Sequence, residues 1–114
     1  MTKHKIVLVP FPFDDLSATK VRPAVCLTNP IGINKHVVLA FITSVKPTDA
    51  VDTDVALDAG DVDFKLTGLR VSSTLRLHRM ITVTTTFIRR ELGQLPSAKQ
   101  VEVSLKLRKL FELT

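Results

Sequence analysis

The stretch Ile6-Val7-Leu8-Val9-Pro10-Phe11-Pro12-Phe13-Asp14-Asp15-Leu16, followed by Lys20-Val21-Arg22-Pro23-Ala24-Val25, decides how this chain is read. The unbroken apolar run Ile6–Val9 predicts a strand buried on both faces or wrapped in a small barrel. Pro10 and Pro12 are expected to end it, because proline has no N–H to give to a sheet ladder. Phe11 and Phe13 then stand in a loop, where aromatic rings suit stacking on bases. Ala24–Leu27 is a second continuous apolar run, and Arg22 stands at its mouth. Pro23 holds Arg22 in an extended conformation, so its side chain projects from a defined strand start. A guanidinium is always charged and offers forked donors to phosphate oxygens.

Outside this segment the pattern stays rich in strands. Val37–Thr43 is a third apolar run, and Thr53–Leu57 alternates, with Asp52, Asp54 and Asp58 set against Thr53, Val55 and Leu57. That alternation predicts a half-exposed strand whose aspartates point at water and discourage edge pairing. Gly68 marks a turn, and Val71–Leu77 and Met80–Thr84 read as two further β pieces. Phe87–Leu95 is ambiguous, since Gly93 and Pro96 oppose a long helix there. The last element is a helix, with Ser97 as N-cap and Gln100 completing a capping box. Val103, Leu107, Leu110 and Phe111 share one face of it, and Ala98, Val101 and Leu105 form a separate apolar stripe. Lys99, Glu102, Lys106 and Lys109 fill a polar face. Such a helix either buries one stripe on its own sheet and one on a partner, or wraps a single broad core face. Five to seven short strands and one helix make a small, partly closed antiparallel barrel, expected as a single domain over residues 1–114.

Composition narrows the class. With 45% apolar residues in 114, disorder is excluded and a core is affordable. No apolar run approaches the length of a membrane span, no secretory leader pattern opens the chain, and a cytoplasmic location is expected. Cys26 is the single cysteine and reads as a buried structural thiol. Asp49, Asp52, Asp54, Asp58, Asp61 and Asp63 share one 15-residue window that holds no Lys or Arg. The rest of the chain sets 16 basic residues against five acidic ones, an asymmetry that favours a polyanionic partner. His4, His36 and His78 lack zinc-site spacing, no phosphate-loop motif occurs, and no metal or other cofactor is expected.

Two further groups are candidates for chemistry. Thr43 and Ser44 end a buried strand ahead of Lys46 and Pro47, where hydroxyls either hold a phosphate oxygen or bond locally to the backbone. Arg76 and His78 lie two apart, which on a regular strand puts them on one side, with Leu75 and Leu77 on the other and Arg79 next in line. Arginine beside histidine suits phosphate binding and proton transfer.

The opening motif, I-V-L-V-P-F-P-F-x-D-L-S and then K-x-R-P-A-V, resembles the start of the MazF/PemK toxins, and the likeness runs from about Ile6 to Leu113. It implies an SH3-like barrel with a C-terminal helix, assembled as a homodimer. It further implies a type II toxin–antitoxin toxin that cuts single-stranded mRNA at specific sequences, without metal, by attack of the 2′-hydroxyl. A 2′,3′-cyclic phosphate and a 5′-hydroxyl would result, with translation and growth inhibited. By the resemblance Arg22 and Thr43 are catalytic, and Phe11, Phe13, Lys20, Ser44, Arg76 and His78 bind RNA. The implied partner is an antitoxin with an acidic tail. Two positions depart from the family pattern: His78 stands where several members carry a carboxylate, and His4-Lys5 replaces the usual Gly-Asp lead-in. The alternatives are a CcdB-like toxin that binds DNA gyrase and cuts nothing, or a decayed barrel that still binds RNA or antitoxin.

Overall fold

The computed structural model describes residues 2–11, with Phe11 by its backbone alone, and residues 20–113. Six strands follow in order: β1 (Lys5–Phe11), β2 (Lys20–Cys26), β3 (His36–Thr43), β4 (Asp54–Leu57), β5 (Ser73–Thr84) and β6 (Arg90–Gln94). One helix, α1 (Ser97–Leu110), closes the chain. All pairings are antiparallel, in the order β4-β5-β3-β2-β1-β6.

β4 and β6 are the two edges of this sheet, yet the 3₁₀ turn Phe64–Thr67 that follows β4 packs on β6. Two glycines permit that contact. Gly68 closes the turn at φ +73°, and a Cβ there would run into the Leu92 carbonyl. A Cβ on Gly93 would in turn meet the carbonyls of Leu66 and Thr67. Backbone therefore lies directly on backbone, and the sheet curls into a half-barrel.

The curl separates two apolar clusters. Ile6, Val25, Ala40, Ile42, Val55, Leu57, Leu75 and Leu77 fill the interior, where Leu95 and Val103 also reach. Val7, Val9, Ala24, Cys26, Val37 and Leu39 form a second cluster on the opposite face of the sheet. Because neighbouring residues in β1 and β2 serve different clusters, both faces are buried, which accounts for their unbroken apolar runs. Burial pushes the Cys26 thiol up to about 11, as suits a packing residue.

Several local expectations change. Pro10 does not end β1 but stands within it, opposite Val21. β6 pairs with β1 only as far as Leu8, so the missing N–H falls where β1 has become an edge. The two β pieces around residues 71–84 are one long strand with an irregularity: Ala40 faces Met80 while the next residue, Phe41, faces Arg76. Leu77, His78 and Arg79 are the extra residues, and regular alternation fails across them. Phe87–Leu95 resolves into a 3₁₀ turn and β6. Ser97 is the first helical residue and not the cap. Pro96, extended at ψ 154°, takes the cap position, and the Gln100 amide donates to the Leu95 carbonyl at 2.8 Å. On α1, Val103 is buried and Leu107 and Leu110 pack on the interior, while Phe111 lies past the helix end and is exposed. Ala98, Val101 and Leu105 face outward, so the helix carries two separate stripes. Among the described residues no helix is long and apolar enough to cross a membrane.

Candidate functional site

β2 and β3 run antiparallel with Ala24 opposite Phe41, so the start of β2 and the end of β3 meet at one end of the sheet. Arg22 and Thr43 come together there. With Phe41, Ile42, Val45, Arg76 and Arg79 they line an open cavity of about 290 Å³.

Thr43 is half-buried and locally engaged. Its Oγ1 accepts the Val45 N–H at 3.1 Å and donates to the Val45 carbonyl at 3.3 Å. The turn fixes the hydroxyl at the cavity wall. The longer, weaker bond is the one Thr43 would exchange to donate to a phosphate oxygen.

Arg76 is held on one side by Asp54 and on the other by Asp49. Its Nε and Nη2 donate to the Asp54 carboxylate at 3.1 and 3.3 Å, while Nη1 donates to Asp49 Oδ1 at 3.0 Å and Nη2 to the Asp49 carbonyl at 3.1 Å. Four of the five guanidinium N–H groups are thereby committed. The Asp54 carboxylate is nearly buried, and it also accepts the Val51 N–H at 3.1 Å. Asp49 is 77% exposed. The Arg76 hydrogen bond holds the Asp49 carboxyl below the usual range, and the charge of His78 adds the smallest contribution. The expectation that the aspartates beside Thr53–Leu57 point at water therefore fails for Asp54. Helix lysines take up more of the acidic window. Lys106 donates to the Asp54 carbonyl at 2.6 Å, and Lys109 pairs with Asp52 at 3.0 Å.

Leu75 and Leu77 are both buried in the interior, and Arg76 and His78 alternate with them. His78 is exposed and does not line the cavity, whereas Arg79, within the irregularity of β5, lines it beside Arg76. Ser44 turns away from Thr43 into a second cavity, described next, and Lys20 is exposed at the start of β2. Phe13 and the Phe11 side chain lie outside the described residues.

The second cavity, of about 440 Å³, shares Arg22 and Ile42 with the first. It adds Ser44 and Ser73, the apolar Val21, Leu69, Val71 and Leu92, and two arginines, Arg70 and Arg90. Neither arginine was singled out from the sequence. Arg90 fell in the ambiguous segment, and Arg70 is brought near it only through the Gly68–Leu92 contact. Among the described residues no group of three or more His, Cys, Asp or Glu converges to hold a metal ion.

A family model described as PemK-like, MazF-like toxin of type II toxin–antitoxin system matches residues 2–111. The chain belongs to this family. Solved structures share its fold at low identity. The Mycobacterium tuberculosis toxin MazF-mt6 is 20% identical with a TM-score of 0.73, covering 96% of this chain and 98% of its own. MazF from Deinococcus radiodurans is 21% identical with a TM-score of 0.72, covering 98% and 96%. An endoribonuclease in complex with its cognate antitoxin, from a mycobacterial species, is 14% identical with a TM-score of 0.76, covering 100% and 97%. No curated protein sequence matches the chain. The expected MazF/PemK-type barrel with a C-terminal helix is thus the observed fold.

Proposed function

We propose that this toxin is an endoribonuclease that cuts single-stranded mRNA, and so stops translation and growth, at the cavity where Arg22 meets Thr43. The observation that carries the reading is that convergence: two residues 21 positions apart in sequence meet at one strand end, beside further arginines. The 2′-hydroxyl oxygen attacks the adjacent phosphorus, its proton leaves to a base, and the P–O5′ bond breaks as the 5′-oxygen gains a proton. The products are a 2′,3′-cyclic phosphate and a 5′-hydroxyl. Because the nucleophile belongs to the substrate, the reaction is expected to proceed without metal. Arg22 stabilises the crowded, more highly charged phosphorane, which a fixed guanidinium does better than it removes a proton. Thr43 donates to a phosphate oxygen after releasing the Val45 carbonyl. Arg76 holds a neighbouring phosphate with its remaining N–H, Ser44 and Lys20 follow the strand, His78 carries protons at the margin, and Phe11 and Phe13 stack bases. A second copy of the chain and an antitoxin with an acidic tail are the partners this surface suits. An apolar cavity of about 350 Å³ bounded by Val9, Phe41, Ile81, Val83 and Phe87 gives the second copy a face to bury.

Purified protein in EDTA, given long single-stranded RNA and its DNA copy, tests the reading. Discrete cuts in RNA alone, lost in Arg22→Ala, are expected. Intact RNA would sink it. One observation favours a gyrase-binding toxin instead: Val101 and Leu105 on α1 are 61% and 63% exposed and free to meet a protein partner. On that reading Arg22→Ala stays toxic and charged substitutions on the helix stripe do not.

A further inference from the structure

Resting on the nuclease reading, we infer that Arg70 and Arg90 form a second phosphate subsite for the RNA strand, on the far side of Arg22 from Arg76. The two cavities meet at Arg22. A strand whose reacting phosphate lies at Arg22 must leave the first cavity somewhere, and the second cavity is the adjoining space.

The contrast between Arg76 and the two arginines of the second cavity supports the assignment. Arg76 has four N–H groups bound to aspartates of its own chain and adds little net positive field. Arg70 and Arg90 make no ion pair or side-chain hydrogen bond among the described residues, and both are exposed. Two uncompensated guanidinium groups lining one cavity repel each other, and an anion bound there relieves that repulsion. The walls suit a nucleotide better than a free phosphate. Val21 and Val71 are about half exposed beside the arginines, so the site offers apolar surface to a base or ribose next to charge for its phosphate.

The site is also rigid where it needs to be. Thr67 is buried, donates to the Phe64 carbonyl at 2.7 Å and accepts the Leu69 N–H at 3.1 Å. Gly68 lies against Leu92, and Gly93 against Leu66 and Thr67. The loop carrying Arg70 is therefore fastened to the strand carrying Arg90, and neither backbone needs ordering when RNA arrives.

The test is binding of a mixed-sequence single-stranded RNA, methylated at its 2′-oxygens so that it cannot be cut, across a salt series. Arg70→Gln and Arg90→Gln are compared with wild type and with Lys35→Gln, which removes the same charge at the other end of β3. Each subsite variant should bind severalfold more weakly. Each should also lower the slope of log affinity against log salt by about 0.7, the value for one lost single-strand phosphate contact. Lys35→Gln should keep the wild-type slope. Arg70→Lys and Arg90→Lys, which keep a point charge, should restore most of it. Unchanged affinity and slope in both glutamine variants would overturn the subsite, and if unmethylated RNA is still cut the nuclease reading stands. Weakened binding without cutting by wild type would keep the subsite and remove the nuclease. Absence of binding by wild type would overturn both.

Discussion

Arg22 has two flanks, and Arg76 on one is treated in the opposite way to Arg70 and Arg90 on the other. On the β4 side, Arg76 is clamped by Asp54 and Asp49, and two helix lysines reach Asp52 and the Asp54 carbonyl. On the β6 side, Arg70 and Arg90 meet no aspartate at all among the described residues. Arg76 is committed to the architecture, whereas Arg70 and Arg90 leave their charge outside. Net charge by itself hides this division, because Arg76 and Arg90 count equally in a sum.

The largest expected effect lies between the flanks. Arg22→Ala should lower the cleavage rate by about a hundredfold or more, in line with removing one preorganised donor from a developing negative charge. Single-turnover cleavage with the variant's melting curve alongside checks it, and a loss of fold in place of rate would break the comparison. Thr43→Ala should cost less, since a neutral hydroxyl contributes less than a charge. Thr43→Ser should retain most of the rate, because serine keeps both the hydroxyl and the turn.

The clamped flank is expected to answer in stability. Asp54→Ala leaves a nearly buried guanidinium with only an exposed partner and should destabilise the fold by about 3 kcal/mol in chemical denaturation. Asp49→Ala should barely move the denaturation midpoint, because Asp49 is exposed and Asp54 keeps the geometry. Gly68→Ala belongs to the other flank. It should cost at least about 1–2 kcal/mol for the left-handed backbone alone, with more from the Leu92 carbonyl, and should weaken RNA binding as the Arg70 loop lifts. Equal losses from Asp54→Ala and Asp49→Ala would show that the clamp is not divided as described.

Acid should act first on the clamped flank. Asp49 is held below its ordinary 3.8 by the Arg76 hydrogen bond. For Glu102, burial pushes upward, but Lys106 and Lys99 outweigh it and hold the carboxyl below 4.5. Each depressed carboxyl contributes stability that is complete above its unfolded value and lost as pH falls through its folded one. Stability should therefore be level above about pH 5 and decline below 4.5 and then 3.8. Asp49→Asn should flatten the lower part of that decline. The smallest effects are reserved for Val101→Lys and Leu105→Lys, which should change stability by no more than about 0.5 kcal/mol and leave cleavage intact.

Much of this was legible from the chain. The unbroken apolar runs of β1 and β2 pointed to strands with little exposed face, and Arg22 and Thr43 were legible as strand-end residues, while the β2–β3 pairing that joins them came from the structure. The misses have physical causes. Alternation holds from Leu75 to His78, but the three extra residues in β5 break it beyond that point and bring Arg79 to the cavity, which a regular strand would not do. Asp54 looked solvent-facing because its partner, Arg76, is 22 positions away in sequence. Arg70 and Arg90 were invisible as a pair for the same reason: two glycines, 25 positions apart, let one backbone rest on another.

The most direct test of the account places one 2′-deoxynucleotide at a mapped cut position in an otherwise ordinary RNA. Attack by the 2′-hydroxyl within an Arg22-centred site predicts that this cut alone disappears, while all others remain and end in 2′,3′-cyclic phosphates. Cutting that persists at the deoxy position would contradict it, because the nucleophile would then be something other than the RNA itself.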